Sequence, residues 1–212
     1  MLIPDGNRRW SRANDKTLKE GYDICGVMLA SFYSFMLDRV DRLYIPVCTL
    51  NNLKNRPVEQ IPWYLDCFIQ AIESSQCSIN LELAGDLTAI PELYQQKFRE
   101  LEERNQDPVG LPLVYTIGWS SDIEVLKLCQ DSAKKPPTNM RELMGMSVIK
   151  EPVDLIIRTG KAQRLSAMNP LFSPYAELYF IDKYFQDTTS EDLEDALNDF
   201  RTRVRRFGGD SQ

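Results

Sequence analysis

From Leu18 onward the apolar residues Tyr22, Cys25, Leu29, Phe32 and Met36 return at steps of four and three, the spacing of a helix with one buried stripe. Residues 43–47 form a continuous apolar run that reads as a buried strand, with Pro46 as a local objection to a central position. Residues 51–56 are polar and without periodicity, a loop. Pro57 then opens a second amphipathic helix whose Val58, Ile61, Leu65, Phe68 and Ile72 step by three and four. Residues 79–84 are a short strand ending in Gly85-Asp86, and residues 91–104 a helix with a charged outer face.

After the Asp107-Pro108 turn, residues 113–117 predict a strand, and residues 121–133 a helix that stops at Lys134-Lys135-Pro136-Pro137. Met140–Met146 is a short helix, followed by strands at 153–157 and 177–181. Thr189 caps a final helix, with Asp192 at the capping-box spacing and Leu193, Ala196, Leu197, Phe200 and Val204 turned inward. Strand alternating with helix throughout predicts an α/β fold: a mainly parallel central sheet flanked by helices, as a single domain over residues 1–212.

Composition narrows the function. The chain has 43% hydrophobic and 26% charged residues, as ordinary globular proteins do. Its net charge of −6 argues against a nucleic-acid partner. No apolar run is long enough to span a bilayer and no signal peptide is visible, so a cytoplasmic location is expected. Cys25, Cys48, Cys67, Cys77 and Cys129 are odd in number and scattered, and read as reduced core thiols. The absence of histidine removes Ser-His-Asp and Cys-His catalysis and the usual zinc sites. Chemistry is left to carboxylates, arginines, amides, hydroxyls and a metal.

Two strand ends hold such groups. Leu2-Ile3-Pro4 stops abruptly at Asp5-Gly6-Asn7-Arg8-Arg9-Trp10, where a helix begins. A strand emptying into a helix start makes a crevice that favours anions. A carboxylate beside arginines suits Mg²⁺ bridging to phosphate oxygens. For a lone D-G-N, an Asx-turn with two solvated arginines explains the residues as well. The second strand end is Asp154 to Ser166, where Arg158, Thr159, Arg164 and Ser166 match the charge and fork geometry of diphosphate oxygens. Alone, R-T-G-K fits a plain loop equally well. Together, Asp5, Arg9, Arg158 and Arg164 at the C-terminal ends of parallel strands can face one ligand.

These stretches resemble the cis-prenyltransferases, the undecaprenyl diphosphate synthase family. The opening D-G-N-R-R-W corresponds to D-G-N-G-R-W, and Asp154 to Ser166 to D-L-x-I-R-T-x-G-x-x-R-x-S with an offset glycine. Tyr175 to Phe180 matches Y-x-E-L-Y-F, and the resemblance runs on to Arg205-Arg206-Phe207-Gly208-Gly209. Pro4 before the acid, Arg8 in place of glycine, and P-L-x-S-P-Y-A-E within Asn169 to Glu177 are closer to the lavandulyl and cyclolavandulyl diphosphate synthases than to the chain-elongating members.

The resemblance implies roles position by position. Asp5 would be the essential acid and would hold Mg²⁺, the implied cofactor, on the donor diphosphate, with Gly6, Asn7, Arg8, Arg9 and Trp10 as its binding stretch. Arg158, Arg164, Leu165 and Ser166 would bind the acceptor diphosphate, with Arg56 retained from the family's R-P. Glu177 would join metal binding across or near a homodimer interface, and Arg206 and Gly208 would form an R-x-G tail reaching a partner's site; Arg201, Arg205 and Arg206 equally suit a helix C-terminus.

Departures weigh against ordinary isopentenyl diphosphate handling. Leu18 and Tyr22 stand where the family has arginine and histidine, residues 49–54 replace F-S-x-E-N-W, and Ala162 and Gln163 stand at its glutamate and histidine. The expected activity is therefore an irregular prenyl diphosphate synthase that condenses two dimethylallyl diphosphates into a branched or cyclised C10 diphosphate. A regular short-chain synthase using isopentenyl diphosphate, and a non-catalytic subunit of a heteromeric prenyltransferase, are the alternatives.

Overall fold

The computed structural model describes residues 1–206 and Gly209. Its strands form two three-stranded sheets in which every ladder is parallel. One has the order β1 (Leu2–Ile3), β5 (Leu155–Arg158), β6 (Glu177–Phe180); the other β2 (Leu43–Cys48), β4 (Leu111–Ile117), β3 (Ile79–Gly85). Strands β1 and β2 lie side by side where the two sheets meet. Eight helices alternate with them among the described residues: α1 (Asn7–Ala13), α2 (Leu18–Met36), α3 (Leu50–Lys54), α4 (Ile61–Glu73), α5 (Glu92–Arg104), α6 (Ser121–Lys134), α7 (Met140–Met146) and α8 (Ser190–Thr202). No helix among the described residues is long and apolar enough to cross a membrane.

The pleat divides the core. Leu2, Leu43, Ile45, Leu113, Tyr115, Leu155 and Ile157 point to the larger cluster, where the stripe of α2 packs with α4, α5 and α8. Their neighbours Ile3, Tyr44, Val114 and Ile156 point to the smaller one, around Trp119, Ile149 and Val153. This is the period of two expected of strands buried on both faces. The cover is unequal, since Leu165, Met168 and Ala176 from non-helical chain complete the second face.

Several local expectations change. Residues 51–56 are not all loop: Thr49 caps α3, and Asn52 returns the bond in a capping box. Pro57 precedes a single 3₁₀ turn, and α4 starts only at Ile61, with Pro62 in its first turn. Pro46 does sit within β2, but next to a register shift between Pro46 and Cys48, where its missing N–H is tolerated. The capping box of Thr189 and Asp192 forms as expected, yet α8 ends at Thr202, and Val204 lies exposed beyond it instead of inward. Cys25, Cys48 and Cys67 are core thiols, whereas Cys77 is half-buried and Cys129 exposed.

Candidate functional site

Strand register brings the two expected strand ends together. Ile3 of β1 stands opposite Arg158 of β5, so Asp5 and Arg158 leave adjacent parallel strands at their C-terminal ends. Thr159 locks the two loops: its hydroxyl accepts from the Asp5 N–H at 3.0 Å and donates to the Asp5 carbonyl at 2.9 Å. Gly160 follows with φ +88°, and a Cβ there would come within 2.7 Å of the Asp5 carbonyl carbon. Only glycine fits that approach.

The Asp5 carboxylate meets three donors and stays one-third exposed. Its Oδ2 meets Arg158 Nη2 at 2.7 Å and Arg9 Nη2 at 3.3 Å, and its Oδ1 accepts from the Gly6 N–H at 2.6 Å. The Arg158 side chain is 4% exposed; its Nη1 donates to the Arg164 carbonyl and to Ser166 Oγ at 3.1 Å. Its Nε has no partner in the structure. A buried guanidinium N–H without an acceptor costs stability, and the charge of Arg158 beside the adjoining cavity is balanced by Asp5.

That cavity, about 650 Å³, is lined by Asp5, Gly6, Asn7, Arg8 and Arg9 on one side and Arg158, Arg164 and Ser166 on another. Its far wall comes from α2, α3 and α4. There Arg56 takes a hydrogen bond partner in the Tyr22 hydroxyl and lies with its guanidinium carbon 3.9 Å from the centre of the Tyr64 ring. Burial pushes the Tyr22 phenol above its usual range, against the opposing pull of Arg56, so this hydroxyl is neutral near pH 7. Arg56 Nε is also buried without a partner. With Arg12 added, six arginines line the cavity against one carboxylate, Asp5, in a chain of net charge −6. So strong a local excess of positive charge suits a polyanionic ligand.

Tyr64 and Phe68 are among the apolar residues that line the cavity. Tyr64 meets Tyr22 and Phe68 edge-on, both at 5.5 Å, and Phe68 meets the buried Tyr115 at 5.8 Å. The sequence marks Phe68 only as part of a buried stripe, and periodicity does not distinguish a core side chain from one that lines a pocket. The sequence marks Thr159 as a hydroxyl facing diphosphate, whereas its side chain joins the two loops through the Asp5 backbone, and Tyr184 carries no motif. Tyr184 lies between two cations, 5.7 Å from Arg9 and 5.1 Å from Lys161.

Other expected residues lie elsewhere or are already engaged. Trp10 is not a cavity residue; its indole donates to Asp187 at 2.7 Å. Leu165 packs on the smaller core cluster. Asn7 lines the cavity, but its side chain binds the Pro4 carbonyl and Gln186. Glu177 pairs with Leu155 at the start of β5, three residues below Arg158, or roughly 10 Å along the strand. It is held by Arg203 at 2.8 Å and does not join Asp5 within one chain. Arg206 is exposed, and Gly208 lies outside the described residues.

A divalent cation could be held at Asp5. Among the described residues no group of three or more acidic, cysteine or histidine side chains gathers into a cage. A single carboxylate facing an anion cavity fits Mg²⁺, which prefers one or two carboxylates with ligand phosphates and water.

The family model for undecaprenyl diphosphate synthase matches residues 3–208. The ditrans,polycis-undecaprenyl-diphosphate synthases, (2E,6E)-farnesyl-diphosphate specific, of Salmonella typhi and of Escherichia coli strain K12 are each 28% identical over 224 residues, covering 98% of this chain and 88% of theirs. Among solved structures, lavandulyl diphosphate synthase from Lavandula x intermedia, in complex with dimethylallyl diphosphate, superposes with a TM-score of 0.89 at 24% identity. That match covers 98% of this chain and 96% of the other, and it shows the fold.

Proposed function

Because this chain belongs to the undecaprenyl diphosphate synthase family of prenyltransferases, we propose that it joins two dimethylallyl diphosphates into a branched C10 diphosphate of lavandulyl or cyclolavandulyl type. One observation carries the reading: a cavity of about 650 Å³ with six arginines is also lined by Tyr64 and Phe68, whose ring contacts continue to the buried Tyr22 and Tyr115. Such a site takes diphosphates with short hydrocarbon tails. A long polyprenyl chain would have to displace buried aromatic core.

Asp5 would hold Mg²⁺, which when bound supplies charge neutralisation of the departing diphosphate. Arg9 and Arg158, already on Asp5, and Arg164 would receive that diphosphate as its C–O bond breaks and it leaves with the electron pair, a donor-side role for Arg158 and Arg164 in place of the acceptor role that the resemblance implies. The π electrons of the second molecule's alkene then form the new C–C bond from its C2, the alkene carbon beside the CH2–O group, which leaves the positive charge on the dimethyl carbon C3. The resulting tertiary cation loses a proton to regain an alkene. With no histidine in the chain, the released diphosphate, held by the same arginines, is the base. Return of that proton to one alkene would regenerate a tertiary cation, attack on it by the other alkene would close a ring, and loss of a proton to the same diphosphate would restore an alkene.

Arg56, fixed by Tyr22 and Tyr64, faces these groups from the opposite wall and would hold the second diphosphate. Fixing both molecules by their charged ends lets the wall between them decide which carbons meet. Pairing of two chains belongs to the proposal: β6 is a sheet edge with Leu178 exposed, and a metal role for Glu177 would be exercised in a partner's site.

The test is incubation of purified protein with Mg²⁺ and dimethylallyl diphosphate alone, followed by dephosphorylation and product identification. A branched C10 alcohol is expected. Strict dependence on isopentenyl diphosphate with a linear cis product would replace this reading by the regular short-chain synthase.

A further inference from the structure

We infer that the backbone N–H of Ser121, the first residue of α6, holds the Ser166–Ala167 turn and so positions the Arg158 side of the cavity. The inference rests on the proposed role of Arg158, Arg164 and Ser166 in gripping a diphosphate. Ser166 and Ala167 carry φ values of +53° and +63°. Two consecutive left-handed residues with side chains persist only where their surroundings hold them. From inside, Arg158 Nη1 donates to Ser166 Oγ at 3.1 Å. From outside, the Ser121 N–H donates to the Ala167 carbonyl at 3.0 Å, with a longer contact of 3.4 Å from Ser121 Oγ. The turn is thus pinned between α6 and the buried arginine.

The start of α6 is itself fixed. Glu124, one turn on and 2% exposed, accepts from Trp119 Nε1 at 3.1 Å, from the Val148 N–H at 2.8 Å and from the Ser147 hydroxyl. It enters no ion pair among the described residues, so three neutral donors on two other segments hold a buried carboxylate. Trp119 lies in the core cluster on which Leu165 and Met168, flanking the turn, also pack. The first N–H groups of a helix have no partner within it, so giving one to Ala167 costs α6 nothing.

This geometry allows a selective cut. Proline is well tolerated at the first helical position, and Ser120 before it is already extended, at φ −159° and ψ 156°. Ser121→Pro therefore keeps α6 and deletes both the N–H and the hydroxyl contact, whereas Ser121→Ala keeps the N–H and deletes only the hydroxyl contact, so the difference between the two variants is that of the N–H. Calorimetric titration with inorganic diphosphate and Mg²⁺ should show Ser121→Pro weakened about 5- to 10-fold, the scale of one lost hydrogen bond, and Ser121→Ala weakened less. In turnover of dimethylallyl diphosphate, Ser121→Pro should raise KM more than it lowers kcat. A folded Ser121→Pro with wild-type diphosphate affinity overturns the inference. Should Ser121→Pro not fold, Glu124→Gln, whose amide must turn a donor toward one of the three donors around it, takes its place, and wild-type affinity there overturns it likewise. Absence of diphosphate binding by the wild-type protein, or Arg158→Ala binding as well as wild type, would instead overturn the proposed function.

Discussion

Asp5 and Arg158, 153 positions apart in sequence, meet at 2.7 Å across the ends of adjacent parallel strands, and the arginine is almost wholly buried while the acid is one-third exposed. The carboxylate thus serves two ends. It balances a buried guanidinium and presents an oxygen to the cavity. Removing it leaves Arg158 short of a charge partner, which makes Asp5 more than the strand-end residue outside the core that its position in the sequence suggests. Asp5→Asn and Asp5→Ala should both lose turnover, with Asp5→Ala the less stable by about 1 to 3 kcal/mol from the unpaired charge and lost hydrogen bonds. Chemical denaturation and Mg²⁺-dependent product formation check the two halves separately. Turnover near wild type in Asp5→Asn would remove Asp5 from the reaction.

Arg56 depends on two rings. Tyr22→Phe deletes the hydroxyl that holds its guanidinium and leaves the stack on Tyr64, so KM should rise by about 3- to 10-fold with little loss of stability. Arg56→Lys should cost more, because an ammonium replaces the planar fork in both contacts. Equal KM values for Tyr22→Phe and wild type would show that Arg56 is placed by Tyr64 alone.

Phe68→Ala should lengthen the cavity toward Tyr115. The protein should then accept a C10 allylic diphosphate that wild type rejects, at a cost of about 3 to 5 kcal/mol in stability. Competition between C5 and C10 substrates, read by product mass, measures the change. An unaltered preference would show that the tail does not run toward Phe68.

Thiol accessibility tests the packing without reference to function. Burial pushes the Cys48 thiol up to about 11, so it remains protonated and unreactive at pH 8, and Cys25 and Cys67 are as deeply enclosed. In the native protein Cys129 should label first and Cys77 more slowly. The other three should react only after unfolding. Early modification of Cys48 would contradict its enclosure between β2 and Gly118.

What the sequence revealed follows from the range of each signal. The stripe of α2 and the capping box of Thr189 are local and periodic, and both form as read. Asp5 and Arg158 could be joined in advance because both end apolar runs and parallel strands deliver such ends to one side. Trp10 and Leu165 were drawn in by adjacency to true cavity residues, but on a short helix or a tight turn the next side chain faces another way. Glu177 shares a strand direction with Arg158 but begins its strand, and register alone tells the two ends apart. α3 went unread because its capping box closes with Asn52 in place of Glu or Gln. Ser121 and Glu124 carry no motif at all, since their importance lies in a turn forty-odd positions away.

Strands β1 and β2 lie side by side, yet no ladder joins their sheets. The cavity straddles that seam, with Asp5, Arg158 and Ser166 on the β1–β5 bank and Thr49, Arg56 and Tyr64 on the β2–α4 bank. The separation between the two proposed anion grips is therefore a property of interlocked side chains, not of a rigid backbone mesh. A shear of one bank against the other changes the gap between bound molecules while breaking no strand pairing. Substitutions in the seam, at Leu2 or Val47, should alter how far apart two substrates are held without touching any group that binds them.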